Sequence, residues 1–502
     1  MFGRKRGSMR LSGVKAGVWG VGLGLLVGLT ACSDEPKPAP VVEDEPEAPS
    51  DALTYHKDVR PLVEANCISC HDGKSVAPAA LDFTDVEKVK QLAPLIVASI
   101  ENRTMPPWQA DTSEGCGDFR DDISLSQVEI DTFSGWMDGG TQLGDPTEFV
   151  APEPRRSELG IERLADTPPT MEIKAGARYT PDQAVDDDFR CFVVDPGLEE
   201  DRFLFGWNVK PDNRAVLHHL IAFTAPGTPD NLAMIENLEA EDEAPGYKCF
   251  GGIRLDGQGV AAAWAPGADT VALPEGTAMR LPAGTLFVVQ MHYNLAEGGM
   301  GDDQSAIDLW MLPKGEEPEI EGQNIFIGNL PFIIPPRVNG IEAETCDTIY
   351  ALTGPGMAPP PEGGTNVDTI RSAADLEDVG KSGCVQQDFY YQTDGPLRIW
   401  SVAPHMHLTG QHISIEVLPT ETSGSPANPT TTIKEGGACL IDMPRWDFNW
   451  QRGYWFKEPV ALPTSGVVRL TCRYDNSGSD EQIGLGEGSG DEMCLGLLFI
   501  SE

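Results

Sequence analysis

Five histidines stand out because their spacing suits metal binding, and the chain has only 8 histidines in 502 residues. His405 and His407 lie two residues apart in SVAPHMHLTG. Residues two apart on an extended chain share a face, so both imidazoles can reach one ion. The other three are His218 and His219, in NRAVLHHLIAF, and His292, in LFVVQMHYNL. The sequence therefore predicts metal ligands in three separate stretches.

The adjacent pair and the single histidine are weaker signals than the pair spaced by two. Adjacent residues point to opposite faces of a regular strand. His218 and His219 can therefore share a metal only if the backbone twists or if different ring nitrogens bind. His292 shares its face with Gln290 and Asn294, which makes that face the more polar one. For His292 alone, a structural histidine is the alternative interpretation.

The elements that must position these histidines are typical of β-structure. After a Pro- and Glu-rich linker at residues 146–170, Gly, Pro and short apolar runs replace helical periodicity. This pattern predicts β-sandwich domains. We place two all-β domains at residues 171–335 and 336–502, with the boundary at IIPPRVNG.

A second site is predicted by Cys67, Cys70 and His71 in ANCISCH. The C-x-x-C-H spacing is typical of c-type haem attachment, in which two thiols bind the haem vinyl groups. The following histidine is then the proximal iron ligand. A redox or structural C-x-x-C with an incidental histidine is the alternative.

The surroundings of this motif predict a small helical domain at residues 53–145. Apolar residues recur at helical spacing: Val86, Val89, Leu92, Ile96 and Ile100. Met105 precedes two prolines that rule out a regular helix, and its thioether is the predicted sixth iron ligand, with plain core packing as the alternative. Ser126 and Glu129 fit a capping box. The segment resembles a mono-haem cytochrome c, while His56 is interpreted as a surface residue.

The order of the histidine motifs resembles the copper type II monooxygenases, which include peptidylglycine α-hydroxylating monooxygenase and dopamine β-hydroxylase. The pattern is HH, H, HxH and a late methionine in GDEMCLGLLFI. The resemblance implies two jelly-roll sandwiches with one copper each, facing across a solvent-filled cleft. It assigns the electron-transfer copper to His218, His219 and His292. It assigns the catalytic copper, at which O₂ reacts, to His405, His407 and Met493.

Ligand chemistry agrees with this resemblance. Imidazole binds both oxidation states of copper, and a soft thioether favours Cu(I). Zinc rarely recruits methionine. The family also implies disulfides Cys191–Cys249 and Cys472–Cys494, although other pairings stay open. Four cysteines cannot be paired from the sequence: Cys116, Cys346, Cys384 and Cys439.

The N-terminus predicts export. A basic start and an apolar run lead to LTAC, which resembles a bacterial lipobox, so we expect a lipoprotein signal peptide at residues 1–32 with Cys32 lipidated. An ordinary cleaved signal peptide is the alternative. Residues 33–52 form an acidic, Pro-rich linker. The protein is then attached to the membrane only by lipid, facing the periplasm or cell surface. A net charge of −42 argues against nucleic-acid binding.

These features predict a monooxygenase that hydroxylates a C–H bond of a small organic substrate with O₂. Relatives usually take electrons from ascorbate, whereas here an external donor would supply them through the fused haem. Ala403, Leu495 and Leu497 replace the family's carboxylate anchor and its later Asn and Tyr, so a peptidylglycine substrate is not expected. The alternative is a non-catalytic haem/copper electron-transfer or copper-binding surface lipoprotein. A monomer is expected.

Overall fold

The computed structural model describes much of the chain after residue 51. The described residues are 52–74, 77–111, 115–153, 158, 160–165, 167–266, 268, 270–296, 298–328, 333–334, 336, 367–372, 384–392, 396–425, 428–433, 436–464 and 466–502. The predicted signal peptide with Cys32, the linker up to residue 51, and Cys346 lie outside them. Among the helices of the described part, none is long and apolar enough to span a membrane.

The helical segment, residues 53–148, contains three main helices. They are α1 (Arg60–Asn66), which continues a π-helical turn at Tyr55–Val59, α2 (Val86–Glu101) and α3 (Gln127–Asp138). Short 3₁₀ turns occur at Ala79–Leu81 and Pro146–Glu148. The capping box predicted at the start of α3 is present, since Ser126 and Glu129 satisfy each other's backbone N–H groups.

An apolar core holds these helices together. Val89, Ile96 and Ile100 of α2 are buried, as their helical spacing predicts, and they pack in one cluster with Phe133 and Trp136 of α3. Burial of such side chains stabilises the segment by roughly 1.5–3 kcal/mol each.

Beyond residue 170 the chain is mostly β-sheet, as predicted. A short helix, α4 (Glu162–Ala165), precedes the described strands, and α5 (Pro229–Glu239) lies among them. In chain order the strands are β1 (Met171–Lys174), β2 (Asp187–Val194), β3 (Arg202–Lys210), β4 (Leu217–Pro226), β5 (Tyr247–Lys248), β6 (Gly259–Trp264), β7 (Val271–Ala272), β8 (Thr277–Leu281), β9 (Thr285–Asn294), β10 (Ala306–Met311), β11 (Ile320–Gly328), β12 (Ile333–Ile334), β13 (Val367–Ser372), β14 (Cys384–Gln392), β15 (Leu397–His405), β16 (Gly410–Ser425), β17 (Asn428–Ile433), β18 (Ala438–Met443), β19 (Tyr454–Leu462), β20 (Gly466–Asp475), β21 (Ile483–Gly484) and β22 (Leu495–Ser501).

Three larger sheets carry these strands. One has the order β5-β2-β9-β4-β6, and another the order β13-β14-β20-β16-β17 with β18 beside β16. The largest runs β1-β10-β3-β8-β11-β22-β15-β19, with β7 beside β3. A short pair, β12-β21, lies apart from these three. We call residues 171–328 the N-terminal β-region and residues 384–502 the C-terminal β-region.

Strand β11 joins the two β-regions in one sheet. It pairs antiparallel with β22, from Gly322↔Ser501 to Gly328↔Leu495, and parallel with β8. Residues 53–502 accordingly cluster as one unit. The domain limits at 145, 170 and 335 remain predictions.

The segment between α2 and α3 packs into the C-terminal β-region. Trp108 and Phe119 belong to the same buried cluster as Tyr454 and Phe456 of β19. A disulfide between Cys116 and Cys439, with a Cα–Cα distance of 4.7 Å, fastens this segment to β18.

Candidate metal centre

A β-bulge brings the adjacent histidines to one side. Strands β4 and β9 pair antiparallel, and their register shifts between Leu217 and His219, so His219 lies opposite His292. His218 is the extra residue of the bulge. Bulges redirect a side chain in this way. The local backbone twist required for both imidazoles to share an ion is therefore present.

The three imidazoles converge through their Nδ1 atoms. His219 Nδ1 lies 3.3 Å from His218 Nδ1 and 3.2 Å from His292 Nδ1. One ligand atom from each ring lies within 4.8 Å of the other two. A tetrahedral ion with bonds of about 2.0–2.1 Å requires nitrogens about 3.3–3.4 Å apart. The three nitrogens therefore fit one metal ion. We call His218, His219 and His292 the trio.

Asp187 fixes the orientation of one member of the trio. His292 Nε2 donates to Asp187 Oδ1 at 2.7 Å, which leaves Nδ1 as the ligand atom. Ser489 donates to the same carboxylate through its backbone N and its hydroxyl, at 2.9 and 2.8 Å. Although burial alone would raise the pKa of Asp187, hydrogen bonds from His292 and Ser489 lower it to about 2. Asp187 is therefore an anion at neutral pH.

Aromatic rings stack on the same imidazoles. Phe189 lies parallel to His292, with ring centroids 4.1 Å apart and an interplanar angle of 8°. Phe448, from the C-terminal β-region, stacks on His218 at 4.8 Å. Such stacking restricts the rotation of both imidazoles.

The second histidine group lies at the end of β15. His405 and His407 have ring centroids 5.0 Å apart. His405 Nδ1 lies 2.5 Å from Gln451 Oε1, and His407 Nδ1 lies 3.1 Å from the carbonyl oxygen of Asp491. Both acceptors require an N–H at Nδ1, so Nε2 is the ligand atom of each ring.

Glu492 connects this pair to the predicted methionine ligand. Its buried carboxylate accepts hydrogen bonds from the backbone N–H groups of His407, Thr409 and Met493, and from the Thr409 hydroxyl at 2.6 Å. Burial raises the pKa of Glu492 despite these bonds. Met493 is half-buried, and its carbonyl accepts a hydrogen bond from Tyr474 at 3.3 Å. The shared carboxylate therefore holds the backbone N–H groups of His407 and Met493 on one oxygen.

All five histidines form one cluster across the two β-regions. The rings of His219 and His405 are 6.4 Å apart, and Phe448 contacts both groups because its ring also lies 5.8 Å from His407. Burial lowers the pKa of His218 and His405 to about 4 and that of His407 to about 3. The rings of His218, His405 and His407 are therefore neutral at pH 7, with a lone pair available for a metal.

The predicted haem motif follows α1. Cys67 and Cys70 are half-buried free thiols, and burial raises the pKa of Cys67 to about 12. His71 Nδ1 lies 3.0 Å from the carbonyl oxygen of Leu81, and Phe83 stacks on the ring at 4.3 Å. Two unpaired thiols beside an imidazole whose Nε2 is the ligand atom fit a covalently bound haem.

The other predicted residues occupy distinct places. Met105 follows the end of α2 and packs, half-buried, against the helical core. His412, on β16, is bound to Asp442 through Nε2 at 2.5 Å. His56 lies edge-on to Tyr55 in the helical segment.

Disulfides brace both histidine groups. Cys191–Cys249 and Cys472–Cys494, the pairs expected from the family, are both present. Cys116–Cys439, which no sequence signal paired, joins two regions separated by 323 residues. Cys384 is also disulfide-bonded.

Five residues of the site carried no signal that the sequence analysis used: Asp187, Phe448, Gln451, Ser489 and Glu492. Glu492 lies inside the DEMC string that suggested the family, so its position could have been noted. The other four belong to loops or strand ends far from the histidines in sequence. Only the folded chain reveals their contacts.

Comparison with known proteins identifies no relatives. No family model and no curated protein matches the chain. Among solved structures, PNGF-II is 10% identical with a TM-score of 0.23, covering 72% of this chain and 70% of that one. The VP2 subviral particle of infectious bursal disease virus is 8% identical with a TM-score of 0.15, covering 66% and 72%. Vicilin from Corylus avellana (hazelnut) is 10% identical with a TM-score of 0.11, covering 61% and 79%. Similarity at this level indicates neither family nor fold.

Proposed function

We propose that this protein is a copper-dependent monooxygenase that hydroxylates a C–H bond of a small organic substrate with O₂. Its electrons come from an external donor through a covalently bound haem. The single observation that carries the proposal is the convergence of five histidine imidazoles from β4, β9 and the end of β15 on one cluster.

The two ligand groups suit two coppers with different tasks. The trio offers three Nδ1 atoms about one point. The pair offers two Nε2 atoms, and Glu492 binds the backbone N–H groups of both His407 and Met493. Copper held in this way supplies one-electron transfer at the trio and reaction with O₂ beside the thioether, consistent with the preferences of imidazole and thioether ligands.

The protein orients these ligands by hydrogen bonds. Asp187, Gln451 and the Asp491 carbonyl each fix the tautomer of one imidazole. Mutation of a residue that makes a contact of this kind typically lowers metal affinity or activity by about 10–100-fold. The stacked rings of Phe189 and Phe448 cover one face of His292 and one face of His218, respectively.

An apolar surface beside His405 supports an apolar substrate. In the register of β15 and β22, Leu495 lies opposite His405 and Leu497 lies opposite Ala403. Phe326 of β11 pairs with Leu497 from the other side. Residues directly opposite in an antiparallel pair share a face. These side chains are half-buried, so an organic molecule could contact them next to the catalytic histidine.

The helical segment supports the supply of electrons. Insertion of one oxygen atom of O₂ into a C–H bond consumes two electrons, and a c-type haem passes one at a time. Cys67, Cys70 and His71 offer the attachment atoms, and Met105 is the proposed sixth ligand that raises the haem potential. Lipidation at Cys32 would keep the protein at a membrane surface, facing the periplasm or the outside of the cell.

The first test is metal analysis with a haem spectrum, for which we expect two coppers and one haem per chain. The reduced holoprotein is then given ¹⁸O₂ with a panel of apolar compounds, and we expect a product carrying one ¹⁸O atom. Met493→Ile should abolish this product and leave the haem spectrum intact. Zinc in place of copper would contradict the proposal.

The non-catalytic electron-transfer or copper-binding lipoprotein remains the second candidate. The ring centroids of His219 and His405 are only 6.4 Å apart. This short distance between the two histidine groups favours the second candidate, because closely spaced redox centres suit electron transfer. The same ¹⁸O₂ experiment separates the candidates, because a carrier would reduce O₂ without labelling any organic compound.

A further inference from the structure

A five-residue segment links the core of the helical segment to the core of the C-terminal β-region. Met105 packs against the helical core, whereas Trp108 is buried in the other core with 7% of its surface exposed. Trp108 is three positions further along the chain than Met105, so their Cα atoms lie no more than about 11 Å apart even in an extended chain. The proposed haem ligand is therefore close to the β-region along the chain.

Trp108 is held between aromatic and cationic groups. Its ring lies edge-on to Tyr454 at 4.9 Å, and the Arg452 guanidinium lies 5.0 Å from its centroid. The main chain after Trp108 is also bound to the C-terminal β-region, since Asp111 N donates to the Asp442 carbonyl at 2.7 Å. These contacts allow this segment little independent motion.

Gln109 binds a loop of the C-terminal β-region. Its side-chain amide donates to the carbonyl oxygens of Asp447 and Trp450, at 2.9 and 3.0 Å. The same two residues close a turn, since Trp450 N donates to the Asp447 carbonyl at 3.1 Å. Gln109 therefore sets the position of residues 447–451.

That loop contacts both histidine groups. Phe448 stacks on His218 at 4.8 Å and lies 5.8 Å from His407, ring to ring. Gln451 accepts from His405 and donates to the Phe448 carbonyl at 2.8 Å. One loop, anchored by Gln109, thus joins the segment after Met105 to the trio and to the pair.

We propose that residues 105–109 and 447–451 form an electron-transfer bridge from the haem to the histidine cluster, with Phe448 as its terminal contact. This inference rests on the proposed function. Each electron that crosses the bridge oxidises one ferrous haem to ferric haem and reduces one Cu(II) to Cu(I), and no bond or proton is transferred. The reductant of the haem is an external one-electron donor, for which a soluble photoreductant serves in the test.

The test uses the oxidised holoprotein without O₂ and without organic substrate, so it does not depend on turnover. A light flash reduces the haem through the photoreductant, and haem absorbance then reports its reoxidation by copper. Freeze-quenched electron paramagnetic resonance reports the matching loss of Cu(II). Phe448→Leu and Gln109→Ala should each slow the reoxidation by about tenfold or more, with unchanged metal content.

Two matched controls make the same chemical changes elsewhere. Phe205→Leu alters a half-buried ring of the N-terminal β-region that packs against Leu164 and Trp310, and Gln304→Ala removes a side-chain bond to the Ala175 carbonyl. Both should keep the wild-type rate. Wild-type rates in Phe448→Leu and Gln109→Ala, or no haem reoxidation in wild-type protein that holds both metals, would overturn the bridge. Failure of the proposed function would be recognised before this experiment, because metal analysis and the haem spectrum would show that copper or haem is missing.

Discussion

Nε2 of His292 lies 2.7 Å from Oδ1 of Asp187, and this hydrogen bond decides which ring nitrogen faces the other two histidines. We predict that Asp187→Ala weakens copper binding at the trio by about 10–100-fold, because the imidazole loses its fixed tautomer and orientation. Copper at the pair and the haem spectrum should change little. Competition with a Cu(I) chelator measures the affinity of each site.

The neighbouring Asp186 provides a matched control for Asp187. It is exposed and one residue away, so Asp186→Ala removes the same charge at nearly the same place. Equal losses of affinity in the two variants would mean that general charge, rather than the hydrogen bond to His292, governs the site.

Glu492 gives a second prediction, for the methionine-containing site. Glu492→Gln exchanges an acceptor oxygen for a donor amide opposite the N–H groups of His407 and Met493. The clash of donors should cost about 1–3 kcal/mol of stability and reduce copper occupancy at the pair. Thermal unfolding and copper stoichiometry check the two effects.

Glu487→Gln is the control for this change. Burial raises the pKa of Glu487 as it does that of Glu492, but its main contact is the backbone N–H of Gly251 at 2.8 Å. Copper occupancy at the pair should stay at the wild-type level in Glu487→Gln. If Glu492→Gln also kept full copper, Glu492 would have no part in copper binding at the pair.

The sequence predicted local features of this protein well, but it did not predict the long-range contacts of the histidine cluster. The spacing of His405 and His407 predicted a shared face, and Ser126 with Glu129 predicted the start of α3, because both depend on neighbouring residues. The orientation of His218 could not be predicted, since the bulge depends on the register between β4 and β9.

Residues from distant parts of the chain were missed for the same reason. Phe448 contacts His218 and His407, yet nothing in RWDFNWQ marks it as part of a metal site. The shared sheet was also missed, because the pairing of β11 with β22 joins segments on opposite sides of the predicted boundary. Pairings of this kind are decided by the whole fold rather than by local pattern.

The buried guanidinium of Arg190 gives a prediction about stability. Its side chain is 0% exposed and forms a bidentate ion pair with Asp242, at 2.7 and 2.6 Å, while further bonds go to the carbonyls of Ala244, Pro245 and Gly246. We predict that Asp242→Asn lowers the free energy of unfolding by about 1.5–3 kcal/mol, because the buried guanidinium loses its charged hydrogen-bond partner. Urea unfolding at pH 7 measures this change. Glu172→Gln, at the exposed pair with Lys210, should cost less than about 1 kcal/mol.

The same ion pair should make stability depend on pH in acid. The hydrogen bond from Arg190 lowers the pKa of Asp242 to about 2, whereas an aspartate in the unfolded chain titrates near 3.9. Between these values the unfolded chain binds more protons than the folded one, so stability falls as the pH falls from about 4 to about 2. Asp242→Asn has no proton to bind, and its unfolding free energy should decline less over this interval. Parallel acid profiles for wild type and Asp242→Asn would show that this carboxylate contributes nothing to the pH dependence.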